Sequence, residues 1–150
     1  MKNRTEKHRQ AETRRAAQMM KRILIHFRSQ MDEQLRPQGV TTAQLQVLKV
    51  IRDEPASGAQ LARSCYVTPQ SAQALLKGLE DGGWITRNKD RVNDRILIAQ
   101  LTPRGVKLLE SAEKLVRVIE KKLWHEVSLE AVEALNGVLE HCLRNLEGDV

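Results

Sequence analysis

Apolar side chains recur along most of this chain with a helical period, and one β-prone stretch that lacks it divides the chain. Ala16, Met20, Ile23, Leu24, Phe27, Met31 and Leu35 follow one another at three- and four-residue steps. That spacing predicts one stripe of a long helix, which Pro37 and Gly39 end. Residues 1 to about 12 carry almost no apolar side chains and read as loose chain or as a helical extension. Three short helices come next, each with its own start signal. Thr41-Thr42-Ala43-Gln44 has the form of a capping box, in which a hydroxyl and an amide satisfy free backbone N–H groups. The helix it opens carries Leu45, Leu48 and Ile51 inward and stops before Pro55. Ser57-Gly58-Ala59-Gln60 repeats the device and opens a helix through about Ser64. Thr68-Pro69 opens the third, with Thr68 as N-cap and Pro69 where a missing N–H costs nothing. Ala72, Leu75, Leu76 and Leu79 face inward on it, and Gly82-Gly83 end it.

Residues 84–102 change character. Trp84-Ile85-Thr86-Arg87 and Arg95-Ile96-Leu97-Ile98-Ala99-Gln100-Leu101 are β-prone and joined by a polar turn, although the second piece alternates poorly. Two longer helices close the chain. Thr102-Pro103 caps the first, whose stripe is Val106, Leu109, Ala112, Val116, Ile119 and Leu123, widened by Leu108, Leu115 and Val118. Ser128 starts the last, with Val132, Leu135, Leu139, Cys142, Leu143 and Leu146.

Composition changes this picture only in its charge. With 150 residues, 41% of them apolar and 29% charged, the chain fits one globular domain. The net charge is +6, and residues 1–28 hold nine basic side chains against Glu6 and Glu12, so the remainder sums to about −1. Nucleic acid is the first partner that such a basic arm implies, and an anionic membrane surface the second. No apolar run approaches the ~18–20 residues of a membrane helix. The basic start lacks the apolar segment of a secretory signal, and its acidic residues speak against a transit peptide. Cys65 and Cys142 form no close-spaced framework, so a reduced, cytoplasmic protein is expected.

Residues 41–102 thus read as helix, helix, helix and hairpin, which is a winged helix-turn-helix. The third helix turns Gln70, Ser71, Gln73, Ala74 and Lys77 outward near its N-terminus, the part of such a helix that enters a major groove. Gln can pair two ways with adenine, and Ser can bond base edges or phosphate. Lys77 and the free N–H groups at Thr68–Ser71 suit a phosphate. The hairpin adds Arg87, Lys89, Arg91 and Arg95, opposed only by Asp90 and Asp94. A polar helix face or a charged loop alone is most simply a solvated surface. At the spacing of a winged helix, the two together point to double-stranded DNA.

The chain resembles the MarR family of bacterial transcriptional regulators over about residues 15–146. The resemblance is carried by Gly39 through Leu48, Gln60-Leu61-Ala62, Thr68 through Ala72 and Leu79 through Arg87. Asn93-Asp94-Arg95 and Leu101 through Gly105 complete it. It implies a mainly α fold with a small two- or three-stranded β wing. In that single domain, dimerisation helices at about 1–36 and 103–150 flank a DNA-binding region at about 41–102. It further implies a homodimer on a palindromic operator, with recognition helices about 34–36 Å apart. Arg95 matches the family's wing-tip Arg that enters the minor groove. Asn93 stands where the family usually has an Asp to steady that Arg, and Ala74 where many members are polar or basic. Arg87, Lys89 and Arg91 remain candidates for the DNA backbone.

Control by a small aromatic or lipophilic effector is typical of the family; His26 and Arg28 on the first helix are candidates for its pocket. A redox switch needs an accessible thiol of lowered pKa. Cys65, before the recognition helix, is the better placed of the two, Cys142 being on an apolar stripe and expected in the core. The four histidines are scattered and no Cys/His pair has ligand spacing, so neither a metal nor a resident cofactor is expected. His125-Glu126 is an adjacent acid/base pair without a catalytic motif around it, so no enzyme is expected. The expectation is an effector-responsive repressor. The alternative is a winged-helix module that serves DNA architecture or protein interaction without small-molecule control.

Overall fold

A computed structural model describes residues 2–148, with side chains from residue 4 onward. Residues 1, 149 and 150, included in the expected dimerisation segments, lie outside the described residues. The first helix, α1 (Lys2–Leu35), begins well before its apolar stripe does and runs for 34 residues, about 51 Å at the α-helical rise. From residue 4 to residue 26 every side chain on it is exposed, whereas Met31 and Leu35 are fully buried. A single 3-10 turn at Arg36–Gln38 follows, closed by Gly39 at φ 74°, a left-handed conformation that glycine adopts freely.

The start signals of the short helices form as expected. In α2 (Thr42–Asp53), the Thr41 hydroxyl accepts from the Gln44 N–H at 3.2 Å and the Thr41 N–H donates to Gln44 Oε1 at 3.0 Å. In α3 (Gly58–Ser64), Ser57 and Gln60 make the same reciprocal pair at 3.3 and 2.8 Å. In α4 (Pro69–Asp81), Thr68 accepts from the Ser71 N–H at 3.1 Å. Asp32 ties α1 to the start of α2. Its Oδ1 accepts from the Thr42 N–H at 2.7 Å and from the Thr42 hydroxyl.

The sheet has three strands. β2 (Ile85–Lys89) and β3 (Leu97–Leu101) form the expected hairpin. A third strand of two residues, β1 (Ala56–Ser57), pairs antiparallel with β3, Ala56 opposite Ala99, in the order β1-β3-β2. β3 is thus the central strand; Ala99 on it is buried and Leu97 is exposed, so its run of apolar residues does not mark two covered faces. Leu45, Leu48, Leu61, Leu76, Leu79, Ile85 and Ala99 join Met31 and Leu35 in one core, together with Leu109 and Ala112 of α5 (Pro103–Leu123). Thr102 pins the start of α5 to the hairpin: its N–H donates to the Trp84 carbonyl at 3.1 Å and its hydroxyl to the Gly83 carbonyl at 2.7 Å.

The described residues after Ile119 form a second unit. Its helix, α6 (Leu129–Glu147), starts at the expected N-cap, with Ser128 accepting from the Ala131 N–H at 3.2 Å. No residue of α6 is buried, and Cys142, expected in a core, is exposed. The period of a stripe tells which residues share a face; it does not tell whether anything in the same chain covers that face. Among the described residues no helix is long and apolar enough to cross a membrane.

Candidate nucleic-acid interface

The turn between α3 and α4 sets where the second of these helices points. Val67 N–H donates to the Ala62 carbonyl at 3.0 Å and Tyr66 N–H to the Arg63 carbonyl at 3.3 Å. That pair of bonds is a Schellman closure, in which the residue after the C-cap takes a left-handed conformation. Here that residue is Tyr66, at φ 53°. Two residues later Thr68 caps α4, so α3 and α4 are joined by a turn with little freedom.

On α4, Gln70, Ser71, Gln73 and Lys77 are exposed, as expected, while Ala72, Leu76 and Leu79 are buried beneath them. The Thr68 hydroxyl donates to Ser71 Oγ at 2.9 Å, so the two hydroxyls at the helix start are already engaged with each other. Lys77 Nζ lies 3.0 Å from Asp81 Oδ2, one turn further along an exposed face, a pairing worth only a few tenths of a kcal/mol. It leaves Lys77 free to exchange Asp81 for another anion.

The wing tip is shaped by two short side chains. Asp90 Oδ2 accepts from the N–H groups of Val92 and Asn93 at 3.3 and 3.1 Å. Asn93 Oδ1 accepts from the Arg95 N–H at 3.1 Å, and the Asp90 N–H donates to the Ile96 carbonyl at 2.8 Å. Asn93 therefore orients Arg95 through the backbone and leaves the guanidinium alone. Lys89, Arg91 and Arg95 all project from this turn as exposed side chains, and among the described residues none of the three is in an ion pair.

Arg87 is placed differently from the other three. Its Nε and Nη2 lie 2.9 and 2.5 Å from Glu80 Oε2, and its Nη1 lies 3.3 Å from Gln73 Oε1. Its side chain is only 18% exposed. A hollow of about 300 Å³ opens beside it, lined by Ser57, Gly58, Gln73, Arg87, Arg95 and Leu97 among others. The fold thus brings Gln73, Arg87 and Arg95 to one concavity and sets Lys89 and Arg91 outside its lining. The part played by Glu80 was not read from the sequence. Its signal would have been a carboxylate at the penultimate residue of α4, just before the turn into a strand that carries a basic residue.

The remaining candidates are not gathered here. His26 and Arg28 are exposed on α1. Cys65 is half-buried, and burial pushes its thiol up, the reverse of what a peroxide-sensing thiol needs. Among the described residues no three His, Cys, Asp or Glu side chains are grouped to hold a metal ion.

A short-turned helix pair, a capped third helix with a polar outer face and a basic hairpin define a winged helix-turn-helix protein. Comparison with known proteins gives its family. The model of the MarR family matches residues 38–96. An HTH-type transcriptional repressor of Mycobacterium tuberculosis is 33% identical over 106 residues, 70% of this chain and 76% of that protein. The transcriptional regulator BldR of Sulfolobus solfataricus superposes with a TM-score of 0.75 at 25% identity, over 87% of this chain and 96% of that one. A mutant MarR from E. coli, crystallised with operator DNA, does so with a TM-score of 0.79 at 22% identity, over 88% and 96%. The chain belongs to the MarR family of winged helix-turn-helix, DNA-binding transcriptional regulators.

Proposed function

We propose that this protein is a cytoplasmic homodimeric repressor that binds a palindromic operator and releases it on binding a small effector. In this reading α4 enters the major groove, where Gln70, Ser71 and Gln73 meet bases and Thr68 and Lys77 meet phosphate. The wing places Arg95 in the minor groove, with Lys89 and Arg91 along the backbone. The observation that carries the reading is the wing tip. Asp90 and Asn93 use their side chains to hold the turn, and the cations they leave unpaired project from it. Repression and operator binding agree with the names of the relatives, a transcriptional repressor and a MarR variant crystallised on operator DNA.

A homodimer is supported by the apolar faces that one chain leaves open. Met20, Ile23 and Leu24 of α1 are exposed, as are Leu135, Val138 and Leu143 of α6, and apolar faces of this extent mark association surfaces. Effector release rests on family membership, with the surroundings of His26 and Arg28 as the first place to look. It would act by shifting the population of dimers whose recognition helices match the operator spacing.

The test is selection from random duplex DNA at two salt concentrations, with the molar mass measured by light scattering. A palindrome with half-sites one turn apart, bound by a dimer, is the expected result. Binding that is sequence-blind and collapses with salt would remove the operator from the reading. Arg95→Ala is expected to weaken operator binding at least tenfold while the dimer stays intact; unchanged affinity would take Arg95 out of the interface.

A further inference from the structure

We propose that Arg87 is a positioning residue for base recognition: anchored on Glu80, it fixes the amide of Gln73 and so decides which base edge that side chain reads. The proposal deepens the reading of α4 as the base-contacting helix and rests on it. Sequence groups Arg87 with the basic wing, yet three of its donors face inward. Two meet one carboxylate oxygen, a charge-assisted arrangement stronger than a neutral hydrogen bond. The third, Nη1, is left for Gln73 Oε1 at 3.3 Å.

The amide is confined on its other side as well. A Cβ built on Gly58 would overlap Gln73 Nε2, so the first residue of α3 gives the amide nitrogen its place only because it lacks a side chain. Gln73 and Glu80 lie seven residues apart on α4, two turns along one face. Arg87 on β2 reaches both. A guanidinium only donates, so it cannot face an NH2 group without leaving a donor against a donor. The flipped amide is therefore excluded. The second lone pair of Oε1 and the Nε2 donors stay available in one fixed order, as two-point recognition of adenine requires. Without Arg87, the amide can present either end to a base pair.

Arg87→Lys keeps the charge and the pairing with Glu80 but loses the fork that reaches Gln73. Selected on random duplexes beside the wild type, it should lose about tenfold in discrimination at one base pair of each half-site. The salt dependence of binding should not change. Gln73→Ala should lose the same discrimination, and the double variant no more than Gln73→Ala alone. Gly58→Ala displaces the amide without touching the Arg87–Glu80 pair, so it should relax the same base pair even where Arg87→Lys folds poorly.

A phosphate contact would show instead as a salt slope lower by about one, with base preference intact. That result, additivity in the double variant, or an effect of Gly58→Ala at a different base pair would each overturn the proposal. A wild-type protein without base preference would overturn the base-reading assignment itself; a wild-type preference that Arg87→Lys leaves unchanged overturns only the role given to Arg87.

Discussion

Leu76 and Leu79 of α4 are exposed to 2% and 0% of their area, Leu143 and Leu146 of α6 to 53% and 86%. All four are leucines at three-residue spacing on helices that begin with a hydroxyl N-cap. The sequence pattern is the same; the difference lies in what each helix meets. Around α4 lie α2, α3 and the hairpin, so its apolar face is closed within one chain. No residue of α6 is buried, and only Val132 and Leu139 on it are partly covered. The winged region is thus a finished core, whereas the C-terminal helix keeps its apolar face open. In the proposed homodimer, that division would separate what fixes the reading surface from what brings two reading surfaces together.

The largest effects should come from exchanging the two regions' roles. Leu48→Ala removes a fully buried side chain of α2 and should cost about 3 kcal/mol, with a lower Tm and an unchanged dimer dissociation constant. Leu143→Ser with Leu146→Ser should do the opposite. The helix content of dilute protein should hold, while the dimer dissociation constant rises by about 100-fold or more, as loss of two leucines covered in the proposed dimer implies. Denaturation followed by circular dichroism and sedimentation over a range of concentrations separates the two outcomes. If both variants lower Tm equally and neither alters association, α6 is not an interface and the contrast with α4 means only that it is a poorly packed helix.

The same contrast marks how far sequence reasoning reaches. Thr41 with Gln44, Ser57 with Gln60, Thr68 with Pro69 and Ser128 announced their helices because each cap is closed within three residues. β1 gave no such signal. Ala56 and Ser57 are a strand only because β3 comes back to pair with them, and no local pattern records a partner so distant. The exposed candidates on α4 and at the wing tip were legible, since polar positions on an amphipathic helix and a charged turn are local facts. Arg87 was not. Its neighbours Gln73 and Glu80 reach it through the turn at Gly82-Gly83, so a residue that looks like one more basic side chain of the loop is held against the recognition helix. Cys142 shows the converse error, where a correct stripe was mistaken for a covered one.

A smaller effect is expected at the junction of α1 with the winged region. Hydrogen bonds from the Thr42 hydroxyl and N–H, assisted by Arg28 and Arg36, hold the Asp32 carboxyl below its usual range. A carboxyl depressed in the folded state stabilises that state above its unfolded pKa, near 4, and the contribution fades as pH falls through the lower folded value. Asp32 is an exposed residue, so solvent screening keeps the effect modest. Asp32→Asn should lower Tm by a few degrees at pH 7 and by less at pH 3, which flattens the acid side of the stability profile. An equal loss at both pH values would show that the hydrogen bonds matter without the charge.

The smallest effect expected has the opposite sign. Tyr66 sits at the left-handed position that closes α3 and is 86% exposed, so its ring gains little from packing. A side chain there costs roughly 1–2 kcal/mol relative to the right-handed conformation. Glycine avoids that strain but loses more chain entropy on folding, by about 0.5–1 kcal/mol. Tyr66→Gly should therefore raise stability by about 0.5 kcal/mol, read as a small upward shift in the denaturation midpoint at constant slope. The gain would sharpen the contrast between the two regions, because an exposed ring inside the closed half would then be shown to contribute nothing to the fold. Its presence beside the start of α4 would call for an explanation in binding, and the operator affinity of the same variant supplies the measurement. A lower midpoint would mean that the ring packs in solution, and the turn before the recognition helix would then be held by more than its backbone bonds.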